Sequence, residues 1–336
     1  MLMRFVILGL ALLSSTALAA DAVTMEAVRH VAHGFDHPSV TFHSHTTGTI
    51  TAALTCSGMS FREAKSVSPG DDLVLTLRDL PKGTHACKGS LTLRGDDGTE
   101  GSMPLSIEVG VHPAPTLSVN EAEIDLSAHK LTLRSDRYLN SVALQVYGPN
   151  NKAIGSGSAQ ADGRNVVDME WYSDGEIVKI EIIGTDVHGI KGKLDLLPWS
   201  YNIPHEDLIF ATNKHDIEPS EVSKLEAAWA ELQQVVAKYG EVVEVQLYVA
   251  GYTDTAGPID ANQALSDRRA RSIAQWFRQR GFKGPIWSQG LGESAPAVAT
   301  GDGVDEARNR RALYILAAKP PARSTDIPRS NWSALK

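Results

Sequence analysis

The sequence predicts a multidomain chain in which two N-terminal all-β sandwiches are followed by an α+β domain. Its 336 residues suggest two to three domains, at roughly 150 residues each. Apolar residues alternate with period two through the first part of the chain and switch to a period of 3.6 from about residue 205. Hydrophobic residues make up 42% and charged residues 21%, which supplies packed cores and excludes global disorder. The formal net charge is -8, from 32 Lys plus Arg against 40 Asp plus Glu, so nucleic acid is not an expected partner. Two cysteines exclude both a disulfide-dense scaffold and a four-thiolate zinc site within one chain.

Residues 1–20 carry one positive charge at Arg4, an apolar run from Phe5 to Leu13, and then Ala17-Leu18-Ala19. This is the pattern of a secretory signal peptide cleaved after Ala19 or Ala20. The apolar run is far short of the roughly 20 residues that a membrane-spanning helix needs. The expectation is an exported chain that does not span a membrane after cleavage. In an oxidising compartment Cys56 and Cys87 can pair as a structural staple, closing a loop of about 32 residues for roughly 3 to 4 kcal/mol on chain-entropy reasoning.

The first domain, residues 21–112, shows short alternating runs such as Leu73-Val74-Leu75-Thr76-Leu77 and Leu91-Thr92-Leu93. Turn clusters Ser68-Pro69-Gly70-Asp71 and Gly95-Asp96-Asp97-Gly98 separate them, giving a small β-sandwich. Pro113-Ala114-Pro115 punctuates the chain before a second domain, residues 113–203. Its strand candidates are Lys130 to Leu133, Val142 to Tyr147, Val166 to Trp171, Ile177 to Ile183 and Lys193 to Leu197, at the spacing of an immunoglobulin-like sandwich. An outer-membrane barrel is disfavoured, because only eight aromatics lie between Asp21 and Ser200 and barrels need aromatic girdles. Five of the eleven histidines cluster at His30, His33, His37, His43 and His45. His43 and His45 share one face of a strand and are the metal-ligand candidates there, although the expectation is that no metal or other cofactor is bound.

The third domain, residues 204–318, begins with a short strand at Leu208-Ile209-Phe210 and a helix opened by Pro219. Val222, Leu225, Trp229, Leu232 and Val236 line one face of that helix, and Gly240 stops it. Val243, Val245, Leu247 and Val249 alternate as a strand, and a second helix runs from about Asp260 to Arg280. Strands near Ile286 to Gln289 and Ala312 to Leu316 complete a βαβαββ order, with helices packed on one side of a mixed sheet. Residues 319–336 lack an apolar period and read as a flexible tail.

Gly251-Tyr252-Thr253-Asp254-Thr255-Ala256-Gly257 places a carboxylate in a glycine-bounded turn at the carboxyl end of a strand, where loops commonly carry function. Arg269, fifteen residues after Asp254, lies on the following helix within folding-back distance. An Asp and an Arg so placed suit a ligand bearing an ammonium and a carboxylate on one carbon.

Four ordered blocks carry a resemblance. Gly251-Tyr252-Thr253-Asp254-x-x-Gly257, Asn262-x-x-Leu265-Ser266-x-x-Arg269-Ala270, Gly290-x-Gly292 with Pro296, and Asn309-Arg310-Arg311 closely resemble the OmpA-like peptidoglycan-binding domain shared with the Pal and MotB proteins. Tyr252 departs from the pattern, since many members carry His there. The resemblance implies that Asp254 and Arg269 hold the diaminopimelate of the peptidoglycan stem peptide. Asn262, Thr253 and Thr255 would position it, and Arg310 and Asn309 would support the pocket. It implies binding without catalysis and a periplasmic protein or envelope complex tethered to the cell wall, with association to the outer membrane left open. The β domains would be spacers or docking surfaces for an envelope protein partner. The alternative is a metal-handling protein or enzyme centred on the N-terminal histidines, with the OmpA-like domain as a localisation tag.

Overall fold

The computed structural model describes residues 22–96, 98–211 and 214–336, so the expected signal peptide lies outside the described residues. The first domain contains β1 (Val23–Val28), β2 (His30–Ala32), β3 (Ser39–Ser44), β4 (Gly48–Cys56), β5 (Met59–Val67), β6 (Asp72–Thr76), β7 (Gly83–Arg94) and β8 (Glu100–His112). They form a three-stranded sheet, β1-β3-β6, and a five-stranded sheet, β2-β8-β7-β4-β5. Alternation does the sorting: along β4 every second residue, Ile50, Ala52, Leu54 and Cys56, is buried. These side chains meet Phe42, Leu75 and Val109 in one core. Cys56 and Cys87 are directly opposite each other on β4 and β7 and are disulfide-bonded. The staple therefore clips neighbouring strands of one sheet.

The second domain holds β9 (Leu117–Asp125), β10 (Lys130–Tyr147), β11 (Ala153–Glu170), β12 (Tyr172–Ser173), β13 (Lys179–Asp186) and β14 (Lys191–Leu196). Two strands expected to be separate, Lys130 to Leu133 and Val142 to Tyr147, are one strand, β10. Arg134-Ser135-Asp136-Arg137 breaks the hydrophobic alternation, but the backbone stays extended through register shifts between Arg134 and Ser141. The first half of β10 pairs with β9 and its second half with β13, while the long β11 pairs along both. All six strands thus share one hydrogen-bonded network. Its two ends bury Leu131, Met169 and Trp171 together with Val146, Ile180 and Ile182.

The third domain contains β15 (Ser200–Asn202), α1 (Val222–Tyr239), β16 (Gln246–Gly251), α2 (Ile259–Arg280), β17 (Ile286–Gly290), β18 (Ala312–Ala317) and β19 (Ser333–Ala334), in the sheet β15-β18-β16-β17-β19. Only β16 and β17 run parallel, joined by α2 as a crossover, so the sheet is mixed. Two expectations are corrected. The first strand is Ser200–Asn202 and not Leu208-Ile209-Phe210, which is coil; it pairs with β18 over three residues, of which Tyr201 alone is apolar, too short a run for an alternation to show. It also moves the start of this domain into the range assigned to the second. The tail is packed and not loose: β19 adds to β17, Ile327 is buried, and Trp332 meets the Tyr248 ring edge-on at 5.1 Å. Burial pushes the Tyr248 hydroxyl up to about 12.

Helix α1 buries Leu225, Ala228, Trp229, Leu232 and Val235. Its last residue, Tyr239, packs against Trp199 with the rings tilted and their centroids 4.5 Å apart, and donates to Glu176 of the second domain at 2.7 Å. Val178 of the second domain is buried in the same core. Helix α2 buries Leu265, Ile273, Ala274 and Phe277. It lies so close to the sheet that a Cβ on Gly251 would sit 2.6 Å from the Ser266 carbonyl oxygen, and one on Gly290 would sit 2.3 Å from the Asp267 nitrogen.

The first and second domains meet at a stack of imidazoles: His30 on β2, His112 at the end of β8, and His188 in the β13–β14 turn. Burial first, and the His188 imidazole next, hold His30 and His112 below the ordinary 6.5. Arg29 acts the same way on His30 and Arg137 on His112, while Glu108 opposes on His30 and Asp186 on both. Folded-state values below the unfolded ones mean that the unfolded chain takes up more protons as pH falls. The stability from the neutral rings is therefore present above about pH 6.5 and lost below it. In chelator-treated buffer, lowering pH from about 7 to about 5 should depress the thermal midpoint of wild type more than that of His188→Gln. Equal slopes would contradict this account of the junction.

Candidate functional site

Strand β16 ends in a buried run, Gly251-Tyr252-Thr253-Asp254, and the chain turns into α2 through Gly257 at a φ of 102°. That positive φ favours glycine, which carries no Cβ penalty there. Backbone bonds fix the run on both sides: Thr253 N–H donates to Gly292 O at 2.9 Å, and Tyr252 N–H to Arg311 O at 2.9 Å. The Tyr252 hydroxyl donates to Asp326 O at 2.6 Å, and burial raises it far above the ordinary tyrosine range. The turn is thus pinned to the segment just after β17, to the approach to β18 and to the C-terminal segment.

Asp254 is 7% exposed. Its Oδ2 accepts from Arg310 Nη1 at 2.6 Å, its Oδ1 from the Ala256 N–H at 3.3 Å, and its backbone oxygen from Asn262 Nδ2 at 3.2 Å. Arg269 is 5% exposed, among the buried residues of α2. Its Nε donates to Lys214 O at 3.0 Å and its guanidinium lies 4.9 Å over the Phe210 ring, so the segment before α1 covers it. Burial pulls Arg269 below the ordinary arginine value, Arg310 pulls it further, and Asp254 opposes. Arg310 is raised by its bonds to Asp254 and to Asp305. Asp254 therefore sits beside one guanidinium and within electrostatic reach of a second. Such an arrangement can hold an ammonium at the carboxylate and a carboxylate at the arginines.

The other expected site residues divide by what they touch. Asn262 bridges the turn to Glu293, donating to Oε2 at 2.8 Å. Thr253 lies beside Asp254 with its hydroxyl buried and without a hydrogen-bond partner among the described residues. Thr255 braces a loop: its hydroxyl donates to Gly301 O at 2.7 Å and accepts from Val304 N–H at 3.1 Å. Asn309 is fully buried and spends both ends of its amide on Val298, at 2.9 Å each. The two consecutive arginines separate: Arg310 turns to Asp254, while Arg311 lies 4.6 Å over Tyr252 and bonds Asp326 at 2.6 Å.

Four contributors carry no signal in the sequence. Phe210, Lys214 and Glu293 reach the cluster from loops, and Asp305 is an exposed side chain whose role appears only through Arg310. The metal candidates His43 and His45 do not share a site. His43 Nδ1 bonds Asp72 Oδ1 at 2.7 Å, whereas His45 Nε2 bonds Thr24 Oγ1 at 3.1 Å.

Residues 209–310 match the model of the OmpA family. The chain is 35% identical over 122 residues to outer membrane protein A of Escherichia fergusonii, covering 36% of this chain and 46% of that one. It is 36% identical over 122 residues to outer membrane protein A of Shimwellia blattae, covering 36% and 47%. The chain thus spans less than half the length of these curated relatives. The crystal structure of the peptidoglycan-associated lipoprotein from Burkholderia pseudomallei matches at 20% identity with a TM-score of 0.28, over 33% of this chain and 88% of that one.

Removing the Asn309 amide leaves the backbone groups of Val298 without their partners, at a cost of about 2 kcal/mol. Asn309→Ala should lower the urea midpoint of the third domain accordingly, and a variant within about 0.5 kcal/mol of wild type would contradict the bracing role.

Proposed function

Residues 209–310 form an OmpA-family domain, and from that premise we propose that the chain binds peptidoglycan without catalysis and tethers an exported protein to the cell wall. The observation that carries this reading is the Asp254–Arg269–Arg310 cluster at the β16–α2 turn. The ligand is the diaminopimelate of the stem peptide, whose side-chain end carries an ammonium and a carboxylate on one carbon. The ammonium sits against Asp254, whose carboxylate has about four acceptor directions and keeps capacity beyond the bonds from Arg310 and Ala256. The carboxylate is gripped by Arg269, a planar fork suited to bidentate contact. Thr253 supplies a hydroxyl beside the carboxylate, and Asn262 holds the turn in place.

Two charge-assisted contacts of roughly 1.5 to 3 kcal/mol each do not make a tight complex. A wall repeats its ligand, and repeated engagement raises retention without any new contact. In this reading the N-terminal segment directs export, the oxidised Cys56–Cys87 pair suits the periplasm, and the two β domains reach from the wall toward an envelope partner.

Co-sedimentation of the full chain with purified diaminopimelate-type sacculi tests the site. Wild type should pellet, and Asp254→Ala and Arg269→Lys should each lose affinity by about tenfold or more. Arg269→Lys keeps the charge and removes the fork, and circular dichroism verifies that both variants are folded. Equal retention of all three folded proteins would overturn the assignment.

A further inference from the structure

We propose that His30, His112 and His188 form a binding site for one divalent transition-metal ion, which clasps the first domain to the second. One ligand nitrogen from each ring lies within 4.8 Å of the other two. His30 Nδ1 and His112 Nε2 are 3.2 Å apart. Neighbouring nitrogens around a tetrahedral zinc, with bonds of about 2.0–2.1 Å, stand about 3.3 Å apart, so this pair already has the spacing of two ligands. His188 is the ring that has to turn to complete the set, and it sits on an exposed turn next to Gly189.

The sheet builds the pair deliberately close. β2 runs parallel to β8, with His30 opposite Gly110 and Ala32 opposite His112. Both imidazoles lean over that glycine: a Cβ on Gly110 would lie 2.2 Å from His112 Nε2 and 2.5 Å from His30 Nδ1. Any side chain at residue 110 would occupy the point where the two nitrogens converge. On the opposite domain, Asp186 accepts from the backbone N–H groups of His188 and Ile190 at 2.9 Å each and so shapes the turn that presents the third ring.

Three imidazoles with an open fourth position suit zinc or copper(II). Two of the ligands belong to the first sandwich and one to the second domain. His112 immediately precedes the Pro113-Ala114-Pro115 linker, so an ion here fixes the angle between the domains at their hinge. The inference stands apart from peptidoglycan binding, since none of these residues belongs to the third domain.

The test uses the full chain without a purification tag, stripped with chelator and titrated with zinc chloride, with native mass spectrometry giving the stoichiometry. One zinc per chain is expected, with affinity reduced by about tenfold or more in His188→Ala and in His112→Gln. The double variant His43→Ala/His45→Ala should bind as wild type does. At one fixed zinc concentration the thermal midpoint of wild type should rise by more than that of His188→Ala; because His188 lies on an exposed turn, that variant is expected to fold. No zinc bound by wild type, or an equal affinity and thermal shift in His188→Ala, would overturn the clasp.

Discussion

A carboxylate buried at the end of β16 persists only because cations meet it, and the third domain is organised around that requirement. An unpaired buried charge is strongly destabilising, whereas one met by good hydrogen bonds is tolerated. Arg310 meets Asp254 from the approach to β18, and Arg269 faces it electrostatically from α2. Asp305 meets Arg310 from the solvent side, so two arginines and two carboxylates share the cluster, with Arg269 the more deeply buried of the two cations. On the proposed function, such a site would discriminate by charge arrangement, favouring a ligand that brings both signs over one that brings a single sign.

Helix–sheet contact converts this chemistry into geometry. Gly251 and Gly290 let α2 approach the sheet so closely that the Ser266 hydroxyl accepts from the Gly292 N–H at 2.9 Å. Arg269 is three residues further along α2, so the same contact that packs the core sets where the guanidinium stands. The C-terminal segment closes the other side. Asp326 receives both the Tyr252 hydroxyl and Arg311, and Arg329 bonds Gln263 of α2, which ties the site's strand and its helix to one strap.

Much of this was legible in the sequence, for a physical reason. Long amphipathic elements announce themselves, and α1 and α2 fall at Val222–Tyr239 and Ile259–Arg280 as the 3.6-residue period and the terminal glycines require. The glycine-bounded turn with Asp254 was equally visible, because tight turns constrain residue type. Elements held by backbone pairing alone were not. Ser200–Asn202 and Ser333–Ala334 are edge strands of three and two residues, too short to show a period, whose existence depends on partners far away in the chain. The same limit hid the imidazole stack: His30, His112 and His188 are brought together only by a parallel strand pairing and a domain contact. The pair that sequence spacing favoured, His43 and His45, was captured by Asp72 and Thr24.

The proposed clamp on a mixed-charge side-chain end is tested most directly by calorimetric titration of the full chain with two soluble stem peptides, one containing diaminopimelate and the other lysine in its place. Lysine keeps the ammonium and lacks the carboxylate that Arg269 would grip. The diaminopimelate peptide should bind and the lysine peptide should bind about tenfold more weakly or not at all. Equal binding of the two peptides would contradict a site built on Asp254 and Arg269 together.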